Sequence, residues 1–278
     1  MTRRNDPCPC GSGERHKHCC GRAGAPAAAP SRPGVQEFST IAAGAPRAPD
    51  EPPARRVGAT PGNVLVVEDF LTAAECRRLL DIARAQPSEE ARITVKDEER
   101  PGGGTRQRLS RRRITTTIKT FDVGDVFVPV VGLAFEQWIP EAYGDEIEWF
   151  EWPDILQYGP GGRYDLHADA DLRDSATGEW RRAQDRDYSL LIYLNDEFTG
   201  GAIEFPRFSY RLKPKRGMLV AFPSDHRYVH AALPVTSGFR YVIVSWGVAV
   251  GSSRVQEPPR SGVVFTDPRY QQAALGRD

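Results

Sequence analysis

After Glu146 the chain breaks into short apolar runs, and this constrains the fold more than any other feature. WFEWPDILQY (149–158), YSLLIYLN (188–195), AIEF (202–205), GMLVAF (217–222) and YVIVSWGVAV (241–250) are separated by stretches containing Gly, Pro and Asp. Runs of this length between turn formers read as strands. Many short strands spaced by turns build a sandwich or a barrel. The fold class expected is therefore mostly β (α+β), with its helices flanking the strands.

Those helices lie upstream. Val64 to Val67 reads as an apolar strand, and Thr72-Ala-Ala-Glu75 is a capping-box pattern opening a helix that runs to about Ala85. Leu79, Leu80 and Ala83 supply its buried face, and Cys76 reads as a small buried hydrophobe. A second helix is expected from Val126 to Ala142. Between them, residues 97–113 are polar, Gly-rich and then basic, and read as a loop. Its Arg106, Arg108 and Arg111 to Arg113 form a charge run, for which a solvated face is favoured over contact with an acidic substrate or nucleic acid.

Composition narrows the function classes. Hydrophobic residues make up 40% of the 278, enough for a sizeable core, and Lys+Arg equals Asp+Glu at 37 each. The chain as a whole thus carries no charge bias towards nucleic acid or a membrane surface. The longest apolar run, Val126 to Phe135, contains Pro129 and Gly132 and is half the length of about 20 residues that a spanning helix needs. Arg3 and Arg4 are followed by Cys, Pro and charge, not by the apolar stretch of a secretory signal. A cytoplasmic protein is expected, with no membrane partner and nucleic acid disfavoured.

The first twenty residues hold Cys8, Cys10, Cys19 and Cys20, with His16 and His18. So short a segment cannot build a hydrophobic core, so a metal must supply its folding energy. Zn²⁺ on four thiolates fits, Gly11, Ser12 and Gly13 allow the turn between ligand pairs, and His18 is the rival for the fourth position. Disulfides are disfavoured in a cytosolic chain. NDPCPCGSGERHKHCCGR (5–22) closely resembles the SEC-C zinc motif. The resemblance implies a structural docking knuckle, and Arg15, Lys17 and Arg22 suit an acidic protein or ribosomal partner.

The remaining histidines form a second constellation. His167 and Asp169 are two apart, which on a strand puts both side chains on one face. His230, several strand signals later, would complete two histidines and one carboxylate. That set binds Fe(II) on one triangular face and leaves three positions open. H-x-D alone is a weak signal, and an ordinary strand histidine is the alternative.

Five segments in order resemble the 2-oxoglutarate and Fe(II)-dependent dioxygenases, specifically their prolyl 4-hydroxylase-like branch, from about Val64 to Val250. They are NVLVVEDFLTAAECRRLLDIA, QYGPGGRYDLHAD, RDYSLLIYLND, the Gly200-Gly201 turn with Glu204-Phe205, and HAALPVTSGFRYVIVSW. The resemblance implies a double-stranded β-helix (jelly-roll) core with iron, Fe(2+), between its two sheets, held by His167, Asp169 and His230. His226 is the nearby competitor, but Pro234-Val235 and Arg240 keep the family distance from His230. Arg240 would clamp the distal carboxylate of 2-oxoglutarate, and Tyr193, Tyr158 and Ser189 would contact this cosubstrate. Family chemistry consumes O₂, releases succinate and CO₂, hydroxylates a C–H bond and uses ascorbate to rescue oxidised iron.

Two departures bear on the substrate. Collagen-type relatives usually have Lys where Arg240 stands, and the Gly-Gly turn continues Ala-Ile instead of acidic-Thr. A prolyl residue of a protein is thus one candidate substrate; a small molecule or nucleic acid, hydroxylated or demethylated, is another. Asp169 argues against a halogenase. A catalytically dead adaptor is the alternative from another class, and the complete ligand set counts against it. The expected organisation is a zinc motif over 1–22, a disordered Ala/Pro/Gly linker over 23–61, the dioxygenase domain over 62–250 and a surface-packed or loose tail over 251–278. A docking module tethered to a catalytic domain favours a protein substrate, since the tether raises local concentration.

Overall fold

The computed structural model of the protein describes residues 51–96, 105–256 and 261–275. The cysteine motif of 1–22 with its zinc assignment, the linker up to residue 50 and the stretch 97–104 lie outside the described residues. Among the described residues no helix is long and apolar enough to cross a membrane.

Two antiparallel sheets form the body. The larger runs Arg55–Arg56, Leu65–Glu68, Leu219–Pro223, Tyr188–Tyr193, Arg240–Ala249, Asp154–Tyr158, Thr116–Lys119 and Ser88–Glu90 in spatial order. The smaller runs Tyr210–Leu212, Ile203–Phe205, His230–Ala232, Arg163–His167 and Arg113–Ile114. Apart from the pairs Arg55–Arg56 with Leu65–Glu68 and Ile203–Phe205 with Tyr210–Leu212, neighbours in space are remote in sequence, which is the connectivity of a jelly roll rather than a meander.

The larger sheet is covered on both faces, and the period of two along each strand sorts its side chains. Leu190, Ile192, Tyr241, Ile243, Leu219 and Ala221 pack on one side, with Leu79, Ala83, Phe127, Val131 and Phe135 of the helices. Tyr193, Val242, Val244, Val220 and Phe222 pack on the other, with Ile203 and Phe205 of the smaller sheet. Gly247 allows the helical layer to approach closely, because a Cβ there would sit 2.5 Å from the Phe135 ring.

The helix Ala73–Arg84 opens with the expected capping box: Thr72 Oγ1 accepts from Glu75 N at 3.1 Å, and Glu75 Oε2 accepts from Thr72 N at 2.8 Å. Cys76 is fully buried on it. The second helix begins at Gly124, widens into a π-turn over Ala134–Trp138 and ends at Tyr143. The wide turn has a cause in Pro140, whose ring would clash with the carbonyl four residues back in an α-helical register.

Three expectations are corrected. Part of the loop of 97–113 is strand: Thr105–Arg108 pairs with Ile93–Lys96, and Arg113–Ile114 forms the edge of the smaller sheet. Backbone pairing in this polar arm leaves no apolar alternation for the sequence to display. The segment after Gly251 is not only surface tail, because Val263–Phe265 pairs with Ile147–Glu151 and buries Val263 and Val264. At the other end, Arg55–Arg56, within the expected linker, pairs with Val67 and Glu68.

Removing the cap with Thr72→Ala should cost about 1 kcal/mol of stability and lower the calorimetric unfolding midpoint by about 2–4 °C. An unchanged midpoint would mean that the first helix is held by packing alone.

Candidate active site

The site grows out of one cross-strand pair. His167 ends the strand Arg163–His167, His230 opens His230–Ala232, and the two are register partners in the smaller sheet. Pairing thus brings together histidines that are far apart in sequence. Asp169 follows His167 by two and turns back towards both. Its Oδ1 lies 3.5 Å from His167 Nε2 and its Oδ2 3.8 Å from His230 Nε2. One ligand atom from each of the three residues lies within 4.8 Å of the others.

Hydrogen bonds behind the imidazoles aim them. His167 Nδ1 is 2.8 Å from the Asp165 carbonyl and His230 Nδ1 is 3.0 Å from the Tyr228 carbonyl. Each contact puts the proton on Nδ1 and leaves the Nε2 lone pair facing the centre. Tyr164 stacks on His167 at 3.5 Å between centroids. Burial, with His167 beside it, pushes His230 down to about 4, so its ring is neutral at pH 7. Burial alone would raise the Asp169 carboxyl, but His230, His167 and Arg186 outweigh it and hold the group below the carboxylate range. Two imidazoles and one carboxylate with lone pairs converging are a donor set suited to Fe(II).

Deeper in the layer between the sheets, Arg240 is 2% exposed. It is the register partner of Tyr158, and its guanidinium carbon lies 4.0 Å over the Tyr158 ring. One terminal nitrogen donates to the Gly201 carbonyl. Its Nε is buried without a hydrogen-bond partner, and among the described residues it makes no ion pair. A buried cation with an orphaned donor is costly unless an anion arrives. The arrangement therefore fits a dicarboxylate cosubstrate whose distal end reaches Arg240. Tyr193 borders the same place, and burial raises its phenol despite the nearby Arg240 charge.

The Ser189 hydroxyl donates to Asp169 Oδ2 at 2.6 Å and is 2.8 Å from Ser224 Oγ, so it orients the carboxylate. His226 is turned away onto Asp171, with Nδ1 2.7 Å from its Oδ2 and the Trp180 ring stacked against it.

Other contributors escaped the sequence. Buried Asn195 accepts from Tyr241 N at 2.9 Å and donates to the Phe239 carbonyl at 2.8 Å, which pins both neighbours of Arg240. Arg186 forks Glu151, with Nη2 2.7 Å from Oε2, and stacks 3.8 Å from the Trp246 ring, beside Asp169. Both residues lie in the RDYSLLIYLND segment; the segment was visible, but their partners Glu151 and Phe239 are remote in sequence.

With this geometry in view, the comparisons are direct. Residues 153–247 match the 2OG-Fe(II) oxygenase superfamily and residues 4–22 match the SEC-C motif. Human prolyl 3-hydroxylase 3 is 39% identical over 101 residues, which are 33% of this chain and 14% of that protein. A putative prolyl 4-hydroxylase of Acanthamoeba polyphaga mimivirus is 34% identical over 102 residues, 33% of this chain and 42% of that one. This chain thus spans less than half the length of either curated relative. The prolyl hydroxylase of Trichoplax adhaerens, solved with a hypoxia inducible factor oxygen degradation domain peptide fragment, shares the fold at a TM-score of 0.51 and 17% identity, covering 69% of this chain and 88% of that one. Residues 153–247 thus match a 2OG-Fe(II) oxygenase domain, a family whose name carries Fe(II) and 2-oxoglutarate, and about a third of the chain is similar in sequence to prolyl hydroxylases.

Ser189→Ala should weaken metal binding at the triad by about 10–100-fold, the usual cost of losing an outer partner of a ligand. Titration with Co(II) and its ligand-field absorption measures this, and an unchanged affinity would remove Ser189 from the site.

Proposed function

We propose that the protein is an Fe(II)- and 2-oxoglutarate-dependent dioxygenase that hydroxylates a C–H bond of a protein substrate, a prolyl residue being the first candidate. The observation that carries this is the pairing of a convergent His167–Asp169–His230 set with a buried Arg240 that has no anionic partner among the described residues. Iron, held by the two Nε2 atoms and an Asp169 oxygen, would supply with O₂ and 2-oxoglutarate the oxidising power, leaving succinate and CO₂ as coproducts.

The chain's own residues do the positioning. Arg240 offers a planar fork to the distal carboxylate of the cosubstrate, with Tyr158 beneath it and Tyr193 as a second donor. The Gly201 carbonyl and Asn195 keep that fork in one orientation. Ser189 and Ser224 hold Asp169 at the angle its ligand role requires. Packing of Phe205 and Phe222 around His230 keeps bulk water from that side of the centre.

In this reading Cys8, Cys10, Cys19 and Cys20 bind Zn(2+), and the SEC-C knuckle docks a partner or the substrate protein. Ascorbate restores iron left oxidised by uncoupled turnover. The decisive assay is succinate formation from 2-oxoglutarate by anaerobically purified protein given Fe(II) and then air. His167→Ala should abolish it. Arg240→Ala should weaken 2-oxoglutarate binding by about 2–5 kcal/mol, roughly 30- to 5,000-fold, with Arg240→Lys restoring part of it. Wild-type succinate no higher than either alanine variant would sink the enzyme reading.

Ascorbate should raise the multiple-turnover succinate yield, and an unchanged yield would remove it from the scheme. Elemental analysis should find one zinc per chain, lost in Cys8→Ser while the triad still takes up iron. Zinc retained in that variant would refute the four-thiolate site.

A further inference from the structure

Beside the site, both sheets come to an end, and a groove of about 580 Å³ opens between them. Glu90, from the terminal strand of the larger sheet, and Ile114, from the terminal strand of the smaller one, both line it. It adjoins the cosubstrate layer directly: Gly159 follows Tyr158, Phe239 precedes Arg240, and both line the groove. The strand that carries Ile114 is paired with the strand that ends in His167.

The walls expose more apolar surface than a solvated face requires. Leu109, Ile114 and Phe239 are 52%, 44% and 48% exposed. Large aliphatic and aromatic side chains clustered on a concave surface mark an interaction site. Interleaved with them are two cations that make no ion pair among the described residues. Arg111 is exposed and in no ion pair among the described residues. Arg113 spends one terminal nitrogen on the Arg92 carbonyl and lies over Tyr164, while its Nε is buried and unpaired. Glu90 is the single acid among the lining residues.

We propose, resting on the oxygenase reading above, that this groove docks an extended acidic segment of the protein substrate, Asp or Glu side chains meeting Arg111 and Arg113 while intervening aliphatic or prolyl side chains sit on Leu109, Ile114 and Phe239. Carboxylates suit guanidinium forks, and a terminal strand has backbone groups free for an extended partner. A single-stranded nucleic acid would bring the same charge but needs aromatic faces on which bases stack. Here Phe239 is the one aromatic residue among the described lining residues, and its ring is packed so closely on Gly159 that a Cβ there would lie 2.9 Å away.

The test is fluorescence anisotropy with the full chain and a short labelled peptide repeating Asp, Leu and Pro, against the same peptide with Asn for Asp and against a single-stranded RNA of equal charge. The expected result is that the amide peptide binds at least roughly tenfold more weakly and that Arg111→Glu and Leu109→Ser each weaken the acidic peptide by roughly fivefold or more. Both substitutions are on exposed side chains, and the Co(II) spectrum of the triad verifies that each variant is folded. Equal binding of acidic and amide peptides, indifference to both substitutions, or displacement of the peptide by the RNA at lower concentration would each overturn the proposal. Acidic-peptide binding that depends on Arg111, in a protein that forms no succinate, would uphold the groove and sink the oxygenase reading instead. Succinate formation with no discrimination between the peptides would do the reverse.

Discussion

The alternation of side chains along the strand Arg240–Ala249 governs the rest of the molecule. This strand is buried on both faces, so each of its residues must serve one of two layers. Tyr241 and Ile243 face the helices, while Val242 and Val244 face the second sheet. The same parity sends Arg240 inward, and its register partner Tyr158 with it. A slip of one residue would move the guanidinium into the helical layer and leave the site without its cation. Register here is strongly specified because both faces are apolar and neither layer accepts the other's residues.

Burying polar groups between the sheets is unfavourable, and most of the contacts around the site offset that cost. The two imidazoles give their Nδ1 protons to backbone carbonyls, Asp169 is met by Ser189, and Ser189 by Ser224. Arg240 rests on Tyr158 and Gly201 but keeps one buried donor unused. The donor set is informative: three lone pairs converge on one point, and among the described residues no acid pairs with the buried Arg240. A divalent metal chelated by a dicarboxylate completes both ends at once. That is the physical ground on which the oxygenase reading rests, independent of any likeness to other chains.

Much of this could be read along the chain. The apolar runs, the Thr72–Glu75 capping box and the burial of Cys76 are local patterns, and local patterns survive in sequence. His167 and Asp169 were legible because two positions on a strand share a face, and His230 and Arg240 because the surrounding motifs repeat a known family spacing. Ser189 was legible as a site residue but not in its contact, since its partner is set by how the loop after His167 folds back. The roles of Asn195 and Arg186 were hidden, because Phe239, Tyr241 and Glu151 are remote in sequence and meet them only in three dimensions. The arm Thr105–Arg108 and the strand Val263–Phe265 were hidden for a different reason. One is polar on both faces and the other is too short for a period to emerge.

By itself, then, the sequence determined the strand-rich class and the start of the first helix, which depend on residue type and short-range periodicity, and it offered the candidate metal ligands through the resemblance of its motifs to a known family. Only the tertiary structure decided which strands are neighbours, and with that which hydrogen bonds hold each ligand, why Arg240 is left with an unused donor, and where the two sheets end beside the site. Strand pairing joins residues remote in the chain through backbone groups that every residue carries. Side-chain identity alone therefore leaves the partner unspecified until the packed layers select it.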